Sequence, residues 1–196
     1  MSESGLVVVA DSSPLIALAR IDQLELLPAL YQRVTVPEAV WREVTRGASE
    51  HRAGAAEVQR APWIDIRHVD PQDAAAHEVL VDRGEAEAIA LASRTQAKLL
   101  LIDDARGRQL ALRLGLQIKG TLGILVSAKQ QKLIPEIRPN LDRLRASGLH
   151  VSAPSCRTST RSSRRSSSRR VTLRKRTHFT RKRVSELIQG RATISR

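Results

Sequence analysis

Two short apolar runs most constrain what this chain can fold into. "VVVA" (Val7–Ala10) halts at Asp11, and "LLLI" (Leu99–Ile102) halts at Asp103 and Asp104. Consecutive apolar residues without alternation describe strands buried on both faces, the situation in a parallel sheet covered by helices. Each run ends in acid just before a helical pattern begins. In open parallel sheets that strand-to-helix edge is where ligands bind. Asp11 therefore reads either as an extra cap for the following helix, with Ser13 as N-cap and Pro14 at N1, or as part of a site.

The intervening segments alternate in the same sense. Helical patterns are expected over Pro14–Arg20 and around Leu24, Leu27 and Leu30, with Asp22 placed to cap the second. A strand follows at Val34–Val36, then "PEAVWREVTRG", a helix opened by Pro37 and stopped by Gly47. Residues 49–60 read as a polar helix or loop, and Trp63–Ile66 as a short strand or edge piece. The alanine-rich "DPQDAAAHEVLVDRGEAEAIALASRTQ" predicts two helices broken near Gly84. After Leu99–Ile102 come "ARGRQLALRLG", closed by Gly115, the short strand "LQIKG", and the helices "TLGILVSAKQQKL" and "PEIRPNLDRLRASG". A last strand is expected at Leu149–Ser152. Strands separated by helices imply right-handed crossovers, hence an α/β fold with a mainly parallel sheet and helices on both faces.

The net charge of +13 suggests a basic nucleic-acid binder until its position is considered. Residues 1–150 hold 19 Lys+Arg against 19 Asp+Glu, whereas residues 151–196 hold 14 Lys+Arg and one acid, Glu186. The chain thus divides into a neutral domain, residues 1–152, and an Arg/Ser-rich tail, residues 153–196, with too little apolar content to order itself. The tail suits salt-sensitive contact with RNA phosphates. Its abrupt change of composition equally suits translation outside the ancestral frame. One cysteine, Cys156, excludes a disulfide framework or a cysteine-built metal centre. No apolar run nears the roughly 18 residues of a membrane span. A soluble chain of the cytoplasm is the expectation, with no membrane partner.

The chemistry resides in acids. If the two buried strands are parallel neighbours about 4.8 Å apart, Asp11 and Asp103 or Asp104 meet in one crevice. Carboxylates brought together raise one another's pKa unless a cation neutralises them, and a hard divalent ion, Mg²⁺ or Mn²⁺, fits oxygen ligands. Glu43 lies beside the apolar side of its helix, and Glu85 shares a face with Ile89 and Ala92. Glu87 stands 200° around from Glu85, so the two cannot enter one pocket. Taken singly, each glutamate also reads as a solvated or capping residue. Ser12 is a candidate for orienting a bound water, although turn formation explains it as well. Arg106 and Arg108 are candidates for gripping phosphates, with ordinary helix-surface solvation as the alternative. The histidines show no metal-ligand spacing. "GTLGIL" lacks the Lys-Ser/Thr ending of a phosphate loop.

Together, "VVVADSSPLIAL", "VPEAVWREV", "DRGEAEAIALA" and "LLLIDDARGRQLALRLGLQIKGTLGIL" resemble the PIN-domain family, in particular its prokaryotic branch related to VapC-type toxins. The resemblance covers roughly residues 6–152. It implies a three-layer α/β/α sandwich and a Mg²⁺- or Mn²⁺-dependent ribonuclease site of about four acids. Matched by position, these are Asp11, Glu43, Glu85 and Asp103, with Asp104 the adjacent candidate; Asp103 is preferred because it ends the strand directly. Where many members carry Ser or Thr two residues before this acid, the chain has Leu101 or, counting from Asp104, Ile102. The resemblance also implies a small protein antitoxin and a homodimer as partners, besides RNA as substrate. The competing expectation is a catalytically inactive PIN-like protein that binds nucleic acid through its basic tail.

Overall fold

A computed structural model describes residues 7–46 and 55–148. Its elements follow in the order β1 (Val8–Ala10), α1 (Ser12–Arg20), α2 (Leu26–Tyr31), β2 (Val34–Pro37), α3 (Glu38–Arg46), α4 (Ala55–Arg60), β3 (Ile64–Arg67), α5 (Pro71–Glu78), α6 (Arg83–Arg94), β4 (Leu99–Leu101), α7 (Ala105–Arg113), β5 (Ile118–Lys119), α8 (Thr121–Gln130) and α9 (Arg138–Ala146). The five strands form one sheet in the order β3-β2-β1-β4-β5, every pair parallel. This is the α/β sandwich expected from the sequence.

The strand order reverses between β1 and β4: the chain builds outward through β2 and β3, then returns to β4 on the other side of β1. Such a reversal splays the two following helices apart and opens a crevice at the carboxyl edge. Val8, Val9 and Ala10 lie opposite Leu99, Leu100 and Leu101, and the ladder runs on through a 2.9 Å bond from the Asp11 amide to the Leu101 carbonyl. Asp11 and the Asp103–Asp104 pair are thus delivered to the same edge by register alone.

On one sheet face Val9, Leu100 and Ile102 join a core with α6 and with Ala111 of α7. Ala86, Ala88, Ala90 and Ala92 of α6 are all buried. At about 100° per residue these alanines fall on two opposite sides of the helix, so small side chains let it sit close to the sheet on one side and to neighbouring helices on the other. Leu15, Leu18, Ile124 and Leu144, all fully buried, belong to α1, α8 and α9. Burying side chains of this size contributes roughly 1.5–3 kcal/mol each, before conformational entropy is set against it.

Several local expectations are corrected. Helix α1 begins at Ser12 with Asp11, not Ser13, as its N-cap. Asp22 caps nothing: its φ of 55° places it in a left-handed turn ahead of α2. The break in the alanine-rich region falls at residues 79–82, and Gly84 lies inside α6. A glycine is tolerated in the first turn of a helix when a close neighbour excludes a side chain. Trp63–Ile66 corresponds to the edge strand β3, displaced by one residue. Gly47, the last expected strand at Leu149–Ser152 and the tail 153–196 lie outside the described residues. Among the described residues, no helix is long and apolar enough to cross a membrane.

Candidate metal centre

Asp11 is fully buried at the carboxyl end of the central strand. Its Oδ2 accepts from the Ser13 hydroxyl at 3.0 Å and from the Ser13 amide at 3.4 Å. Its Oδ1 is buried with no hydrogen-bond partner. An unsatisfied buried carboxylate oxygen costs free energy unless something positive meets it. Burial pushes the Asp11 carboxyl up to about 6, with bonds from Ser12 and Ser13 opposing and the charge of Glu43 adding to the rise. The hydroxyl on this carboxylate belongs to Ser13. Ser12, a candidate either for orienting a bound water or for forming the turn, is buried in the first turn of α1.

Glu43 reaches the same place from α3. A Cβ built on Gly84 would lie 3.0 Å from Glu43 Oε2, 3.5 Å from Val40 Cγ2 and 3.9 Å from Asp11 Oδ1. The missing side chain at Gly84 therefore leaves the space into which both carboxylates point. The next residue along α6 is Glu85, whose carboxyl is pushed up to about 7 by partial burial, by the charge of Asp104 and by that of Asp11. Its Oε2 would lie 3.5 Å from a Cβ at Gly107, so a second bare backbone position accommodates the third acid.

The two adjacent aspartates have different surroundings. Asp104 is the N-cap of α7, with Oδ1 accepting from the amides of Arg106 at 2.6 Å and Gly107 at 2.9 Å. It stands close enough to Glu85 to be the largest charge acting on it. Asp103 faces β5 and α8: Oδ1 accepts from the Thr121 amide at 2.9 Å and Oδ2 from the Thr121 hydroxyl at 2.5 Å. The structure thus gathers Asp11, Glu43, Glu85 and Asp104, and gives both oxygens of Asp103 to Thr121. Consecutive residues leaving a strand project to different sides, so one faces the crevice and the other the neighbouring loop.

Of the two candidate arginines, Arg106 is exposed on the wall of an open cavity of about 300 Å³ that also includes Asp82, Glu85 and Asp104. Arg108 donates from Nη1 to the Ile102 carbonyl at 3.1 Å, at the end of β4.

Four carboxylates from the ends of β1 and β4 and from α3 and α6 make a hard-oxygen donor set of the kind that Mg²⁺ and Mn²⁺ prefer. Among the described residues no three acidic, histidine or cysteine groups are already drawn to chelating distance of one another. The unpartnered Oδ1 of Asp11 and the raised carboxyls of Asp11 and Glu85 nevertheless show an anionic crevice short of positive charge, and the residues fit a divalent cation. Sequence reasoning gave no site role to Ser13, Thr121 or the two close-approach glycines, Gly84 and Gly107; of these, Gly84 carried a signal, standing directly before the site acid Glu85.

No curated protein matches the chain. A family model described as PIN domain matches residues 7–164, a span holding the whole sheet and all four gathered acids and reaching beyond Ser152. With that match over most of its length, and with parallel strands ending in acids at the strand-order reversal, the chain belongs to the PIN-domain family, a family of nucleases.

Proposed function

We propose that this protein is a Mg²⁺- or Mn²⁺-dependent endoribonuclease whose cation is held by Asp11, Glu43, Glu85 and Asp104. The observation that carries the reading is the fully buried Asp11, whose Oδ1 has no partner and lies with Glu43 Oε2 around the space at Gly84. In this reading Asp104 takes the place that position alone gave to Asp103.

Each residue has a distinct task. Ser13 fixes the rotation of the Asp11 carboxylate through Oδ2 and leaves Oδ1 for the ligand role. Asp104 is locked by two amides of α7 and presents its charge to Glu85. A divalent ion held there supplies a bound water of lowered pKa and positive charge for the departing oxygen of a phosphodiester. One carboxylate of the set accepts the proton of the attacking water. Arg106, exposed at the cavity wall, draws the substrate phosphates toward an otherwise anionic crevice. The VapC-like motifs support a role as the toxin of a toxin–antitoxin pair, with a small protein antitoxin covering this crevice and a homodimer as the working form.

The test incubates the full chain with single-stranded RNA and Mn²⁺, with and without EDTA, beside Asp11→Asn. Cleavage that EDTA stops and Asp11→Asn lacks supports the nuclease. RNA retention that persists in EDTA, without cleavage, and vanishes on deletion of residues 153–196 replaces it with a binding protein acting through its tail. Sequencing the preceding reading frame tests the pairing: a small protein encoded there that suppresses cleavage and forms a stable complex on co-expression supports it, and its absence speaks against it.

A further inference from the structure

Glu87 is the carboxylate of α6 that the acidic crevice does not use. Two residues beyond Glu85 it points about 200° away around the helix, and it is only 5% exposed. A buried carboxylate needs partners, and Glu87 has two. Its Oε2 accepts from the Ala39 amide at 3.3 Å and its Oε1 from Arg83 Nε at 3.0 Å. Ala39 is the second residue of α3, where backbone amides lack partners within their own helix and negative charge is favoured. Among the described residues this is the one hydrogen bond that joins α3 to α6.

These two helices carry Glu43 and Glu85. They approach at Gly84, where no side chain holds them apart and a Cβ would already lie 3.0 Å from Glu43 Oε2. Three residues further along α6, Glu87 fastens the start of α3. Glu43 lies four residues beyond Ala39 on α3, about 6 Å along the axis at 1.5 Å per residue. A slide or tilt of α3 therefore passes directly to the Glu43 carboxylate. We propose that Glu87 is a positioning residue, which by fastening the first turn of α3 to α6 sets the spacing of Glu43 from Glu85 and so the affinity of the acidic crevice for a divalent cation.

The inference rests on the cation reading above, and its test separates the two. Mn²⁺ uptake is measured by calorimetry on the full chain for wild type, Glu87→Leu, Glu87→Gln and Leu144→Ala, each with a melting curve. Amide exchange at Ala39 is followed without metal. Glu87→Leu is expected to bind Mn²⁺ about tenfold more weakly, the loss seen when groups that orient metal ligands are removed. Glu87→Gln, whose amide oxygen still accepts from Ala39, should lose less and also guards against failure of the leucine variant to fold. Leu144→Ala, a core truncation in α9, should melt earlier with unchanged Mn²⁺ affinity, which separates positioning from loss of stability. Faster exchange at Ala39 in Glu87→Leu is the accompanying result. Wild-type uptake matched by both folded Glu87 variants overturns the positioning role, as does unchanged protection at Ala39. A folded wild type that takes up no Mn²⁺ overturns the cation reading, and this inference with it.

Discussion

Glu43 Oε2 and Asp11 Oδ1, from residues 32 positions apart, converge on the space beside Gly84 that any larger residue would fill, at 3.0 and 3.9 Å from a Cβ placed there. One carboxylate is exposed on a helix and the other buried at a strand end. The gap between them exists because α6 presents bare backbone to α3.

Gly84→Ala should therefore injure the site more than the fold. The added methyl group lies inside normal contact distance of Glu43 Oε2, the far end of a side chain that is free to swing away. Melting should change by no more than about 1 kcal/mol, since alanine is the better helix former. Cation-dependent cleavage should fall at least about tenfold, in line with displacement of a metal ligand or its support. Side-by-side melting and cleavage assays check this.

Asp103 and Asp104 should part company when each is changed to Ala. Asp103→Ala strands the amide and hydroxyl of the fully buried Thr121 and should cost about 2–6 kcal/mol of stability, at about 1–3 kcal/mol per stranded group. Some cleavage should survive at a temperature where the variant remains folded. Asp104→Ala loses the cap of α7, worth about 1 kcal/mol, and should abolish cleavage. Urea unfolding and RNA cleavage on both variants measure the contrast; equal loss of activity at equal foldedness would contradict it.

Stability without metal should decline as pH rises. The Asp11 carboxyl moves up from 3.8 to about 6 on folding and that of Glu85 from 4.5 to about 7. Between those limits the folded chain holds protons that the unfolded chain has released, so stability is greatest below the unfolded values and is lost through the folded ones. The Asp11 contribution is on the order of 2–3 kcal/mol, at about 1.4 kcal/mol per pH unit. Melting in EDTA at pH 5 and pH 8 should show the lower midpoint at pH 8. Asp11→Asn should flatten the slope and equal or exceed wild type at pH 8, and Mn²⁺ should raise the wild-type midpoint there. A midpoint that climbs with pH in EDTA would contradict the assignment.

Arg106→Ala should act on substrate and not on the fold. Arg106 is exposed and, among the described residues, makes no ion pair despite lining a cavity with Asp82, Glu85 and Asp104. Steady-state cleavage should show a raised KM with little change in kcat and a weaker dependence on salt, as expected when a phosphate contact is removed. Arg108→Ala should instead lower the melting point, because its guanidinium braces the Ile102 carbonyl.

Pattern alone determined a good deal about this protein. Four-residue apolar runs ending in acid already fixed parallel strands and the edge at which Asp11 must lie, because burial on both faces and strand-to-helix turns are local consequences of residue type. Helical periodicity in the same way places Glu43 beside the apolar side of its helix and Glu85 on a face with Ile89 and Ala92. Tertiary structure decided the rest. Nothing local tells Asp103 from Asp104; Thr121, 18 residues away, claims one and leaves the other beside Glu85. Ser12 and Ser13 are equally ambiguous until the first turn of α1 sets which hydroxyl meets Asp11. Glu87, only recognisable in the sequence as facing away from Glu85, acquired its role from Ala39, 48 positions earlier. Periodicity reports the direction in which a side chain leaves its own element, whereas the partner it meets depends on how separate elements pack.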